Sequence, residues 1–150
     1  MRPQWMRRWR RDDRGTALME MAFTLPMLLL ISIGIIDFGR AFQTWQVLTN
    51  AAREGARVAV LPGMSDSMVA ARVQQYIQAG VLDAGVTPTV TIQRNASISY
   101  GTGTATGSRV IVSYPYKFMA LNSVAKLFAS NPTLGSDFTM STSATMRNEN

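Results

Sequence analysis

The chain has 150 residues, 47% of them apolar or aromatic, with no cysteine and no histidine. That length holds one modest domain beside one membrane segment. The two missing residue types remove disulfide frameworks, zinc–thiolate sites and the usual nucleophiles and general bases of enzymes. The formal charge of +6 is unevenly spread: six arginines (Arg2, Arg7, Arg8, Arg10, Arg11, Arg14) against Asp12 and Asp13 leave +4 before Gly15 and +2 after it. A surplus placed just before an apolar stretch argues for orientation across a membrane, with the arginines cytoplasmic, and against nucleic-acid binding. Trp5 and Trp9 suit the headgroup region.

From Gly15 to Ile36 the large apolar side chains are nearly continuous, and Glu20 is the one charge. Thr16 to Ile36 as a helix spans about 31 Å, the thickness of a bilayer's hydrocarbon core. A carboxylate within it costs about 2.5 to 3.5 kcal/mol at mid-bilayer and less near the interface, so Glu20 asks for a reason. Pro26 removes an amide donor and displaces the carbonyl of Ala22, so a kink or local loosening is expected. An ordinary signal peptide fits less well, because the apolar run exceeds the usual length and no A-x-A site closes it. Arg7-Arg8 is followed by a charged stretch rather than an apolar one.

Beyond Ile36, Phe38, Ala41, Phe42, Trp45, Leu48, Ala52, Gly55 and Ala59 recur at three and four residues, with Arg40, Gln43, Gln46, Asn50, Arg53 and Arg57 on other faces. This predicts one long helix from about Thr16 to Val60, amphipathic in its second half and ended by Leu61-Pro62-Gly63. Ala51, Gly55 and Ala59 form a small-residue stripe for close helix packing, on the chain's own domain or on neighbouring helices. Glu54 and Arg57 read as a solvated helical pair.

Ser65 or Asp66 caps a second helix with Val69, Val73, Tyr76 and Ile77 as its apolar stripe and Gly80 as its C-cap. Alternating β-branched and aromatic residues then predict three or four antiparallel strands: Val90 and Ile92; Ile98 and Tyr100; Val110, Val112 and Tyr114; and Phe138 to Met146. Gly101 to Gly107 reads as a flexible hairpin connection without the Lys-Ser or Lys-Thr of a phosphate loop. Tyr114-Pro115-Tyr116 reads as a strand end at an edge. Met119 to Ala129 is a short helix or irregular crossover, broken by Asn131-Pro132.

No two acidic residues stand at a spacing that makes them meet, so catalytic, cofactor-binding and metal-ligating sets are each read as none.

Taken in order, a basic leader, Gly15, a small hydroxyl residue, Glu20 five residues after the glycine, Pro26 and an apolar span running into an amphipathic helix resemble type IV pilin precursors. Arg14-Gly-Thr-Ala-Leu-Met-Glu-Met-Ala-Phe-Thr-Leu-Pro26, Ile35-Ile36-Asp37-Phe38-Gly39-Arg40 and Leu48-Thr49-Asn50-Ala51-Ala52-Arg53-Glu54-Gly55-Ala56-Arg57 sharpen this. Together with the ending Ala144-Thr-Met-Arg-Asn-Glu149 they look like the TadE-like family of minor pseudopilins from tight-adherence (Flp-type) pilus systems. Asp37 stands where many members have Glu.

The resemblance implies an α+β, pilin-like fold, with the long helix packed on a small antiparallel sheet. Residues 1–15 would be a leader cut by a prepilin peptidase between Gly15 and Thr16, 16–37 the transmembrane half-helix, and 38–150 an extracytoplasmic domain. Glu20 would pair with the new amino group of a neighbour's Thr16. The implied partners are the peptidase, other pilins and pseudopilins, the assembly machinery and the inner membrane, and the implied role is structural rather than enzymatic. The competing reading is a monomeric, signal-anchored extracytoplasmic binding module, which gains nothing from Glu20.

Overall fold

The computed structural model describes residues 13–80, 85–101, 103–128 and 137–148. The remainder of the arginine-rich leader, with Trp5 and Trp9, and the Asn131-Pro132 break lie outside them. Three helices, α1 (Asp13–Ala59), α2 (Asp66–Gly80) and α3 (Leu121–Phe128), combine with three strands, β1 (Thr89–Tyr100), β2 (Gly103–Tyr116) and β3 (Phe138–Arg147). The result is an α+β fold in which a long helix packs on a small antiparallel sheet.

Helix α1 runs for 47 residues and passes through Pro26 without interruption, about 70 Å at helical rise. It already includes Asp13, three residues before the expected start. Its end is local chemistry: Pro62 cannot extend the ladder, and Gly63 takes φ +80°, which costs a residue without Cβ little. Ser65 then caps α2, its hydroxyl accepting from the Met68 amide at 3.3 Å, so Asp66 is the first helical residue rather than the cap. Of the stripe expected on α2, Val69, Val73 and Ile77 are buried, whereas Tyr76 is 39% exposed. Gly80 closes α2 against Val47: a Cβ there would lie 2.9 Å from Val47 Cγ1.

The sheet is a meander in the order β1-β2-β3, both pairs antiparallel. The two short strands read at Val90 and Ile98 are one strand, bent at a register shift between Gln93 and Ala96 where Asn95 adopts φ 62°, a left-handed conformation that asparagine tolerates. The hairpin is tighter than expected. Tyr100 pairs with Gly103 and Ser99 with Thr104, so Gly103 to Gly107 lies inside β2; the alternating threonines extend the ladder instead of leaving a flexible loop. Pro115 sits in the central strand, beyond the last β1 pair at Ser113. There β2 faces β3 alone, and the missing N–H breaks no bond to β1.

The core forms where α1 crosses α2 and the inner face of the sheet: Leu48, Ala51, Ala52, Ala56 and Ala59 meet Val69, Val73, Val110, Val112, Tyr114 and Met140. Burying one such large side chain contributes about 1.5 to 3 kcal/mol.

Candidate functional site

Two regions of α1 carry the functional residues read from the sequence, and they differ in environment. From Gly15 to Ser32 every residue is exposed. Leu18, Met19, Met21, Phe23, Leu25, Met27 and Leu28 each leave more than half of their surface uncovered. A contiguous apolar surface of this size on a water-facing monomer is untenable and marks a lipid- or protein-facing element. It is the one helix among the described residues long and apolar enough to cross a membrane.

Gly15, Thr16, Glu20 and Pro26 all lie on this half and are exposed. The structure brings none of them against the domain. The backbone carbonyl of Glu20 accepts a hydrogen bond from the Thr24 hydroxyl, and Leu28 likewise accepts from Ser32 at 2.9 Å, so the short polar side chains satisfy themselves within the helix.

Ala51, Gly55 and Ala59 belong to the other half and are buried. A Cβ on Gly55 would meet Val73 Cγ2 at 2.5 Å and Val110 Cγ1 at 3.2 Å, so the small stripe is where α2 and β2 approach the helix backbone. The larger apolar residues of the same half separate from it. Phe38 is 60%, Phe42 64% and Trp45 41% exposed, forming a second stripe at spacings of four and three that prolongs the exposed apolar surface of the lower half.

At the junction sits a residue whose role sequence reasoning missed. Asp37 is 2% exposed, and its Oδ2 accepts the backbone N–H of Ala120 at 3.0 Å and of Leu121 at 2.7 Å. A carboxylate from α1 therefore caps the N-terminus of α3. It satisfies amides that have no intrahelical partner and sits at the positive end of the helix dipole. The Tyr116 hydroxyl donates to the Asp37 carbonyl at 3.3 Å. Burial, opposed by the Arg40 charge and helped by that of Asp37, raises the pKa of that phenol.

Around the junction Phe38 and Phe118 meet edge to face at 5.6 Å and Tyr116 and Phe118 at 5.4 Å, while Phe118 and Phe138 lie tilted at 5.6 Å, geometries that favour aromatic pairs. Arg40 Nη1 donates to Met119 Sδ at 3.0 Å. A signal for Asp37 was present in the spacing: it falls in line with Ala41, Thr44 and Leu48, the face that becomes the core, where an unpaired carboxylate is costly.

Glu54 and Arg57 pair through two hydrogen bonds, of 3.0 and 2.8 Å. Arg72 of α2 adds contacts at 3.3 Å to the same carboxylate, so this is a clasp between helices rather than a pair on one. Hydrogen bonding from Arg57 chiefly, opposed next by burial and reinforced by the Arg57 charge and by the hydrogen bond and charge of Arg72, holds the Glu54 carboxyl below its ordinary value. At the far end Arg94 ties the α1–α2 turn to β1, donating to Asp66 at 2.7 Å, to the Met64 carbonyl at 2.7 Å and to the Ala59 carbonyl at 3.1 Å. Among the described residues no acidic cluster could hold a metal ion.

Fold and site together define an α+β protein whose long helix is an exposed apolar rod, long and apolar enough to cross a membrane, in one half and the core of the domain in the other. Residues 15–57 match the family model described as TadE-like protein, the family that the motifs from Arg14 to Arg57 resemble. The match covers α1 alone, from Gly15 to Arg57. It stops short of the sheet, so the resemblance of the Ala144 to Glu149 ending lies outside it. Neither a curated protein nor a solved structure matches the chain.

Proposed function

We propose that the protein is a minor pseudopilin of a tight-adherence, type IV-like pilus. In this reading residues 1–15 are a cytoplasmic leader removed by a prepilin peptidase, 16–37 span the inner membrane, and 38–150 form the extracytoplasmic domain. The mature chain joins other pilins and pseudopilins, through the assembly machinery, by its N-terminal helix.

The observation that carries this reading is the exposed apolar half of α1 with Glu20 on it, continued upward by the exposed Phe42 and Trp45. A solitary anchor explains the lower half through lipid, but neither the carboxylate nor aromatic rings standing beyond the membrane. Neighbouring helices explain all three, with Glu20 pairing to the α-amino group of a neighbour's Thr16 and offsetting the cost of both ions in lipid. Cleavage after Gly15 acts on a bond near the helix start, where Gly lowers the cost of unwinding the chain.

The test is Glu20→Val. It removes a desolvation cost, so membrane level and leader cleavage survive. It also strands the partner ammonium, a loss that reaches about 3 to 5 kcal/mol for a buried pair. Crosslinking to other pilins and filament formation therefore fall sharply, and Glu20→Asp recovers part of both. Normal filaments and crosslinks with Glu20→Val would transfer the case to the monomeric, signal-anchored binding module.

A further inference from the structure

We propose that the edge of the domain at the junction with the apolar half of α1 is a lipid-docking floor, on which Phe38, Met119 and Phe138 enter the headgroup layer of a phospholipid bilayer. The inference rests on reading the lower half of α1 as membrane-spanning.

Three observations carry it. The first is level. Packing of the domain on α1 begins at Asp37, directly after the exposed apolar half, and the Asp37 carboxylate holds the Ala120 and Leu121 amides at 3.0 and 2.7 Å. The segment carrying Met119 is therefore pinned to the height at which the helix leaves the hydrocarbon and cannot ride up toward the sheet.

The second is exposure. Met119 is 67%, Phe38 60% and Phe138 42% exposed. The two rings flank Phe118 at 5.6 Å each, so they form one patch rather than scattered surface residues. An apolar patch continuous with a membrane-spanning surface is completed by the same bilayer, and rings with this placement favour the interfacial layer.

The third is charge. The charged groups beside the patch are cationic in balance: the half-buried Arg40, which donates to Met119 Sδ, and Lys117, against Asp137, which Lys117 meets at 3.3 Å. The Asp37 carboxylate is turned inward on α3. Such a rim complements lipid phosphates. A second copy of the chain is the rival occupant, but the exposed stripe suited to a neighbouring helix continues along α1 at Phe42 and Trp45, away from this floor.

The chain has no cysteine, so single-cysteine variants of the full-length protein can carry a nitroxide without background. Met119→Cys, Ala71→Cys and Leu29→Cys are reconstituted in vesicles of phosphatidylethanolamine and phosphatidylglycerol. Collision of each label with lipid-soluble oxygen and with an aqueous nickel chelate is then compared. Ala71 is exposed on α2 two residues before Val73, which sits on Gly55, about 27 Å along α1 from Asp37.

The expected result is an oxygen-to-nickel ratio at position 119 several-fold above that at 71 and below that at 29. A label at 119 as accessible to nickel as the one at 71 overturns the floor while leaving the membrane span standing. A label at 119 shielded from both reagents assigns the patch to protein contact and also overturns it. Nickel access at 29 overturns the membrane reading itself.

Discussion

At the scale of single residues, Asp37 is the hinge of the molecule's organisation. Its carboxylate is buried and satisfied by two amides of a segment more than eighty residues away. Asp37→Ala leaves those amides without a partner, which costs about 1 to 3 kcal/mol for buried donors. Asp37→Asn keeps an acceptor oxygen and loses less, mainly the charge at the helix end. Hydrogen exchange on the protein in micelles checks this: amides at Ala120 and Leu121 should exchange much faster in Asp37→Ala and moderately faster in Asp37→Asn, with α2 unchanged. Unaltered protection at both amides would show that the cap is not what orders α3.

At the scale of elements, the crossing of α1 with α2 and β2 depends on a missing side chain. Gly55→Ala places a methyl 2.5 Å from Val73 Cγ2 and 3.2 Å from Val110 Cγ1. Overpacking of that kind costs about 1 to 3 kcal/mol, while alanine's better helix propensity returns at most about 1 kcal/mol, so the net effect is a lowered denaturation midpoint. Adding Val73→Ala to Gly55→Ala should recover part of the loss, and simple additivity of the two changes would argue against a direct clash. The Glu54 clasp joins the same two helices. Its folded pKa lies below the ordinary carboxylate value, so its stabilisation is complete above that value and is lost as pH falls through the depressed one. Arg57 and Arg72 are 59% and 48% exposed, which keeps the contribution small. The midpoint gap between the native chain and Glu54→Gln should accordingly be modest near neutrality and close in acid.

At the scale of the whole molecule, the arginines before Gly15 and the apolar rod set one expected topology and one processing event. A reporter fused after Asn150 should be active outside the cytoplasm, and activity confined to the cytoplasm would reverse the orientation. With the cognate peptidase present, N-terminal sequencing should begin at Thr16, and Gly15→Val should leave the precursor intact, because a branched side chain crowds the site. A mature terminus beyond Ile36 would instead identify a conventional signal peptide.

Those features that depend on neighbouring residues were legible in the sequence alone: the apolar span, the continuity of α1 to its Pro62-Gly63 stop, the Ser65 region as a helix start, and strands where β-branched residues alternate. Their causes act over one turn or one strand, so period and punctuation suffice. Tertiary structure decided the rest. Two apolar stripes share residues 38–59 at the same helical period, and only the positions of α2 and the sheet select one of them, Ala41, Leu48, Ala51, Ala52 and Ala56, for burial while leaving Phe38, Phe42 and Trp45 outside. Arg72 joins Glu54 because α2 folds back along α1. Asp37 caps α3 across 84 residues of sequence, since an unpaired helix amide accepts any carboxylate that packing delivers, and delivery is a property of the fold rather than of the local chain.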